Sequence, residues 1–222
     1  MRVDTVILSK TSDLSHYGLT CRTINSLKAS NDYEGKIVVV ESESSNKIKE
    51  EGFLYNGCNV IYPECTFNYN KFLNIGITEC VSEWILLCNN DLFFFKDWWT
   101  HMSEAITANP GVRSFSPCSP TWHLHASLDK YEVGYTVSKH ICGWCILLHR
   151  SVLDTCNLFD ETFEFWYQDN DYAMTLQKNN IKHCVVKDSR VHHFVSGSHD
   201  LLKERNNDLT HGQQNKFLSK WK

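Results

Sequence analysis

Trp84–Leu92 reads WILLCNNDL. Its first five residues are apolar without alternation, the pattern of a strand buried on both faces. Asn89-Asn90-Asp91 stops that run abruptly. A strand ending in N-x-D presents an amide oxygen and a carboxylate at one edge. Hard divalent cations take oxygen ligands, and Mg²⁺ or Mn²⁺ binds through one or two carboxylates together with phosphate oxygens. The same tripeptide also suits a plain turn.

Upstream, three more strand-like runs alternate with helical stretches. Val3–Ser9 (VDTVILS) and Lys36–Val40 (KIVVV) suit buried parallel strands, and Asn59–Tyr62 is a third strand. Leu14–Ala29, Ile48–Asn56 and Asn70–Cys80 have helical character between them. The order β-α-β-α-β-α-β predicts a mostly parallel sheet with helices on both faces, an α/β fold of Rossmann-like type. In such sheets ligands bind beyond the carboxyl ends of the strands. Ser9-Lys10-Thr11, Glu41-Ser42-Glu43 and Asn89-Asn90-Asp91 all fall at those ends.

Downstream the pattern is less regular. Trp98–Ala108 reads as a helix, Val112–Ser116 as a strand and Pro117–Ser138 as loop containing Trp122-His123-Leu124-His125. Ile141–His149 reads as a strand, Arg150–Thr155 and Asp169–Asn179 as helices, and Cys184–Val186 and Arg190–Val195 as strands. His199–Lys222 is polar and helical in part. There is no internal repeat and no linker, so one domain is expected.

Composition agrees. The 222 residues are 42% hydrophobic and 22% charged, which is globular rather than disordered. Four prolines and ten glycines exclude collagen-like and low-complexity classes. The balance of 22 basic and 26 acidic residues, a net −4, argues against a globally basic nucleic-acid binder. No apolar run approaches the ~18–20 residues that cross a bilayer, and Met-Arg-Val-Asp at the start is no signal peptide. The chain therefore reads as cytoplasmic, with no integral membrane segment, and its ten cysteines as free thiols. Cys142 and Cys145 form a lone C-x-x-C with no second pair at zinc-site spacing.

Two further constellations carry chemistry. Gln168-Asp169-Asn170-Asp171 follows the aromatic run Phe163–Tyr167 and opens a helical pattern. One acidic residue there suits a helix cap. Two beside a tryptophan suit a carboxylate whose pKa is pushed toward general-base use, both by the like charge and by the aromatic surroundings. His192-His193 lies in a strand pattern, so only one ring can face a given side. Parity with Val191 and Val195 favours His193. The phosphate-binding glycine patterns G-x-x-x-x-G-K-[ST] and G-x-G-x-x-G are missing, as is G-x-S-x-G. A phosphate-bearing ligand would then rely on metal.

Seven segments in order resemble the inverting family 2 glycosyltransferases of GT-A fold: Val6–Ser9, Lys36–Ser45, Phe67–Ile77 (FNYNKFLNIGI), Leu87–Leu92, Cys142–Leu153 (CGWCILLHRSVL), Phe159–Leu176 (FDETFEFWYQDNDYAMTL) and His193–Ser198. Glu41 stands where the family has Asp, Gln168 where it has Glu, and the loop after Ser9 lacks the family's proline. The resemblance implies a nucleotide-binding half over 1–92, an acceptor and catalytic half over 93–198 and a polar tail over 199–222. It implies metal-dependent transfer, with Mn²⁺ or Mg²⁺, of a sugar from a nucleoside diphosphate, with a UDP-sugar favoured.

In that reading Asp91 holds the metal, with Asn89 and His193 assisting, and Asp169 is the catalytic base. Ser9, Asn90, Gly143 and Asp171 line the nucleotide-sugar site. Glu41 meets the ribose or base, and Asn68 and Asn74 seat the pyrimidine. Trp144 and Trp166 offer faces to the donor and acceptor sugars. The acceptor is a glycan or a hydroxylated base in DNA, the latter suggested by Lys203, Arg205, Lys216, Lys220 and Lys222 near the C-terminus. A nucleotidyltransferase and a non-catalytic nucleotide-sugar-binding domain remain as alternatives.

Overall fold

β1 (Val3–Ser9) is buried at every position and forms the centre of the parallel half-sheet. β2 (Ile37–Glu41) and β4 (Trp84–Asn89) flank it in parallel, and β3 (Asn59–Ile61) extends the sheet beyond β2. The computed structural model describes residues 1–194 and 211–222. The path through the sheet is β3-β2-β1-β4, then β8 (Cys145–His149), β6 (Val112–Cys118), β9 (Lys182–His193) and β5 (Leu92–Phe94). β7 (Tyr131–Val133) pairs with β9 off that path.

Alternate side chains serve the two faces, as the pleat requires. Ile7, Val39 and Leu86 pack with Ile24 and Leu27 of α1 (Leu14–Lys28) and with Trp98 and Met102 of α4 (Trp98–Ala108). Val6, Val40 and Leu87 pack on the other face with Phe72 and Ile77 of α3 (Tyr69–Thr78) and with Tyr172 and Leu176 of α6 (Gln168–Lys178). Two short helices, α2 (Ser45–Glu50) and α5 (Ser151–Cys156), complete the layers.

The parallel expectation holds for β1–β4. In the second half β8 (Cys145–His149) runs antiparallel to both β4 and β6 (Val112–Cys118), while β6 and β9 (Lys182–His193) are parallel. The central sheet is therefore mixed. The two late strands expected on either side of Lys187 are one long strand, β9, whose register with β6 shifts between Pro117 and Cys118. β5 (Leu92–Phe94), directly after Asp91, is not expected from the sequence; it is defined by its pairing with β9. α2 begins and ends earlier than its apolar pattern suggests, capped by the Ser44 hydroxyl and followed by Gly52 in the left-handed region. All ten thiols are free, and Cys142 and Cys145 are buried in the core. Among the described residues no helix is long and apolar enough to cross a membrane.

Candidate active site

The register aligns Ser9 with Glu41 and Leu8 with Asn89, so the three polar strand ends share one rim, as parallel topology requires. Their side chains divide into two groups. Glu41 is fully buried and acts as an internal hub. Its Oε1 accepts from the Thr11 N–H at 3.0 Å and the Glu43 N–H at 2.9 Å. Its Oε2 accepts from the Thr11 hydroxyl at 2.8 Å and the Tyr55 hydroxyl at 3.1 Å. The Ser9 hydroxyl joins through the Thr11 and Tyr55 hydroxyls, each at 3.3 Å, and also meets the Thr20 hydroxyl at 2.9 Å; the Thr11 and Tyr55 hydroxyls meet each other. This network satisfies a buried charge. The four Glu41 bonds all run within the chain.

Asn68 and Asn74 likewise bond within the chain. Asn68 caps α3, its Oδ1 accepting from the Lys71 N–H and its Nδ2 donating to the Glu161 carbonyl. Asn74 donates to the Phe159 carbonyl and to Glu161 Oε1, and accepts from the Phe159 N–H. Asn70 donates to the Asp160 carbonyl at 2.8 Å. The three amides hold the 159–161 loop.

The second group faces the centre. Asn89 Oδ1 accepts from the Tyr69 hydroxyl at 2.9 Å, and that hydroxyl also lies 3.1 Å from the Gly143 carbonyl. Asn90 turns back to α1, its Nδ2 donating to the Thr20 hydroxyl. Asp91 is 5% exposed, and its carbonyl accepts from the Phe194 N–H. Asp91 Oδ1 stands 3.3 Å from His193 Nε2, because β5 pairs Leu92 with His193 across the sheet edge. His192 pairs with Phe93 instead and packs against Phe194. Val195, Ser196 and Ser198, used in the parity and motif readings, lie outside the described residues.

The His193 ring lies between two indoles, stacked on Trp144 at 5.2 Å and on Trp122 at 5.6 Å. Trp122 had no assigned role; its place in a Trp-His segment was the available signal. It is presented by a turn that His123 anchors, with Nδ1 accepting from the Ser119 N–H and Nε2 3.1 Å from the Lys139 carbonyl. Burial pushes the His123 pKa down, consistent with a neutral ring holding both bonds.

Asp169 sits in the first turn of α6. Tyr167 enters that helix at φ 64°, in the left-handed region, with no side-chain cap. Asp169 is half-buried against Gly143: a Cβ there would stand 3.0 Å from Asp169 Cβ and 3.1 Å from its Oδ2. Burial raises the Asp169 pKa, against the opposing bond from the Asn170 N–H. The expected like-charge contribution from Asp171 is not among the causes. Asp171 is buried and faces the other way, its Oδ1 accepting from Trp221 Nε1 at 2.7 Å and lying 2.8 Å from Lys220 Nζ. It is therefore bound to the C-terminal segment. Trp166 is half-buried and packs edge-on against Phe165.

Tyr69 was missed by sequence reasoning, since an aromatic at the start of an apolar helix reads as core. Its hydroxyl joins the strand end leading to Asp91 with the loop beneath Asp169. Burial raises its pKa above 10, reinforced by the Cys88 thiol and then by the charges of Asp169 and Asp91, so the phenol remains a donor.

The residues fit a divalent cation as a partial set. Asp91 and His193 supply an oxygen and a nitrogen at one buried edge, and His193 Nδ1 has no hydrogen-bond partner among the described residues. No group of three His, Cys, Asp or Glu ligands gathers among the described residues, so further ligands would come from phosphate and water.

The glycosyl transferase family 2 model matches residues 18–156, more than half of the chain. The chain belongs to that family. Its fold is the GT-A fold. Staphylococcus aureus TarS is similar at 16% identity and TM-score 0.63, over all of this chain and 43% of that one. GalNAc-T7, solved with UDP, GalNAc and Mn²⁺, is similar at 14% identity and TM-score 0.69, over 87% of this chain and 44% of that one. A shorter TarS, residues 1–349 with UDP-GlcNAc, gives 16% identity and TM-score 0.61, over 86% and 57%. The glycosyltransferase domain described here thus spans less than half the length of full TarS and of GalNAc-T7. No curated protein sequence matches it.

Proposed function

We propose that this domain transfers a sugar from a UDP-sugar to an acceptor hydroxyl, with Asp169 as general base and inversion at the anomeric carbon. The observation carrying the reading is the Tyr69 bridge: one phenol ties Asn89, two residues before Asp91, to Gly143, which backs Asp169. A carboxylate suited to a cation and a half-buried carboxylate suited to a proton are thus linked through one side chain. Asp91 and His193 would hold Mn²⁺ or Mg²⁺. Such an ion, when bound, neutralises charge on a departing diphosphate.

The chain's own residues do the rest. Asp169 accepts the proton of the acceptor hydroxyl as its oxygen attacks, and burial keeps its basicity above that of a surface carboxylate. Trp144, 8% exposed, and Trp122 flank the His193 edge with apolar faces of the kind that pack on sugar rings. The similar structures, TarS 1–349 with UDP-GlcNAc and GalNAc-T7 with UDP, GalNAc and Mn²⁺, support a UDP-sugar donor.

A glycan acceptor is favoured over DNA. Lys216 and Lys220 lie against Glu164, Asp160 and Asp171 and so are neutralised, while Lys203 and Arg205 lie outside the described residues. The test is a thermal-shift screen of nucleotide-sugars with Mn²⁺, followed by measurement of UDP release. A UDP-sugar should raise the melting temperature with Mn²⁺ and not after chelation. Release of pyrophosphate would make the enzyme a nucleotidyltransferase, and binding without turnover a carrier domain.

A further inference from the structure

α7 (Gln213–Lys220) lies beyond the segment matched by the family model, yet it grips the segment that bears Asp169 at several points. Gln213, 2% exposed, accepts from the Glu164 N–H through its Oε1 at 3.0 Å. Lys216 donates to the Thr162 carbonyl at 3.1 Å. Phe217 packs on Tyr167 at 5.4 Å. Lys220 spans Asp160 at 2.7 Å and Asp171, and Trp221 donates to Asp171 at 2.7 Å.

Two of these contacts fall where the local backbone is least self-sufficient. Tyr167 holds a left-handed φ of 64°, which a bulky residue keeps only when its surroundings impose it. Asp171 closes the first turn of α6, its N–H donating to the Tyr167 carbonyl at 2.8 Å. Asp169 lies between them and depends on both.

We propose that α7 is a strap that positions Asp169, with Lys220 and Trp221 holding Asp171 while Phe217 holds Tyr167. Asp171, Lys220 and Trp221 are positioning residues that act through the first turn of α6. The inference rests on the reading of Asp169 as the base.

The test uses the full chain and needs no substrate. Trp221→Phe removes the indole donor and keeps an aromatic ring; Lys220→Met removes the charge and keeps length. Amide hydrogen exchange over 165–172 is compared with exchange in β1 and β4, and the Asp169 carboxyl is followed by its ¹³C shift. In both variants exchange over 165–172 should rise tenfold or more while β1 and β4 stay within twofold. The Asp169 titration midpoint should fall toward the ordinary Asp value as water reaches it. Lys220→Arg, which keeps both ion pairs, should remain close to wild type.

Exchange that is unchanged, or that rises equally in β1 and β4, overturns the strap, as does an Asp169 midpoint that does not move. UDP binding with Mn²⁺, measured by calorimetry, should stay within twofold in both variants; a larger loss would make the pair donor-binding residues. If Asp169→Asn is inactive while exchange is unaltered in the α7 variants, the strap fails alone. If Asp169→Asn transfers normally, the base assignment fails whatever the exchange shows.

Discussion

Asp169 combines two properties that pull apart on substitution. As a helix-start residue it is replaceable by Asn, which suits first-turn and capping positions nearly as well. As the proposed base it is not. Asp169→Asn should lower transfer by about 10²–10⁴-fold, measured as initial rate at saturating donor. Its stability should move the other way. The folded-state pKa is raised by burial, so the folded protein holds this proton more tightly than the unfolded chain does. Wild type therefore loses stability as pH rises from the unfolded to the folded value. Asn has no such loss, so the variant should melt at or above wild type at neutral pH. For the same reason the acid limb of the rate profile should lie above the ordinary Asp range. At the sheet edge, His193→Ala should impair Mn²⁺-dependent donor binding more than His192→Ala, since His193 faces Asp91 while His192 pairs with Phe93. Titration calorimetry of UDP with Mn²⁺ against both variants checks this.

Between elements, α3 shows how a sequence pattern can be visible while its purpose is not. Asn68, Asn70 and Asn74 stand out in an otherwise apolar helix, and polar residues near a ligand-binding rim invite a ligand-binding role. In the folded chain they bond to residues 85 to 93 positions away, holding the 159–161 loop. Nothing in local spacing reveals a partner that distant. Asn74→Ala should leave the Phe159 N–H and carbonyl without their amide partners and cost about 1–3 kcal/mol, read by denaturant unfolding. Element types were largely legible: β1 and α4 match the apolar patterns end to end. Short antiparallel pieces such as β5 and β7 were not, because they are defined by their distant partner, β9.

Across the molecule, Asp4 links the start of the central strand to the segments entering β2 and β4. Its carboxylate is buried and accepts from the Lys36, Val81 and Ser82 N–H groups at 3.0, 2.7 and 2.8 Å. Burial alone would raise its pKa; the backbone donors together outweigh that and hold it below the ordinary value. The folded value lies below the unfolded one, so this stabilisation is fully present above the unfolded Asp pKa. It is lost as pH falls through the lowered one. Asp4→Asn should cost about 1–3 kcal/mol at neutral pH and flatten the acid side of the stability curve, as urea melts across pH 3–7 would show.

The alternating apolar runs up to Asp91 required a parallel half-sheet, because strands buried on both faces pack only with helices above and below. That topology in turn put Ser9, Glu41 and Asn89 on one rim. What each rim residue does there was left to long-range contact. Glu41 became a hub because Thr11 and Tyr55 converge on it, and Asp171 a strap anchor because α7 returns to it. Tyr69 became a bridge because β4 and the loop at Gly143 meet over its hydroxyl. Periodicity is local and survives in the chain as written. The direction a polar side chain faces, and whether its hydrogen bonds are already taken, depends on segments tens of residues away that only folding brings near.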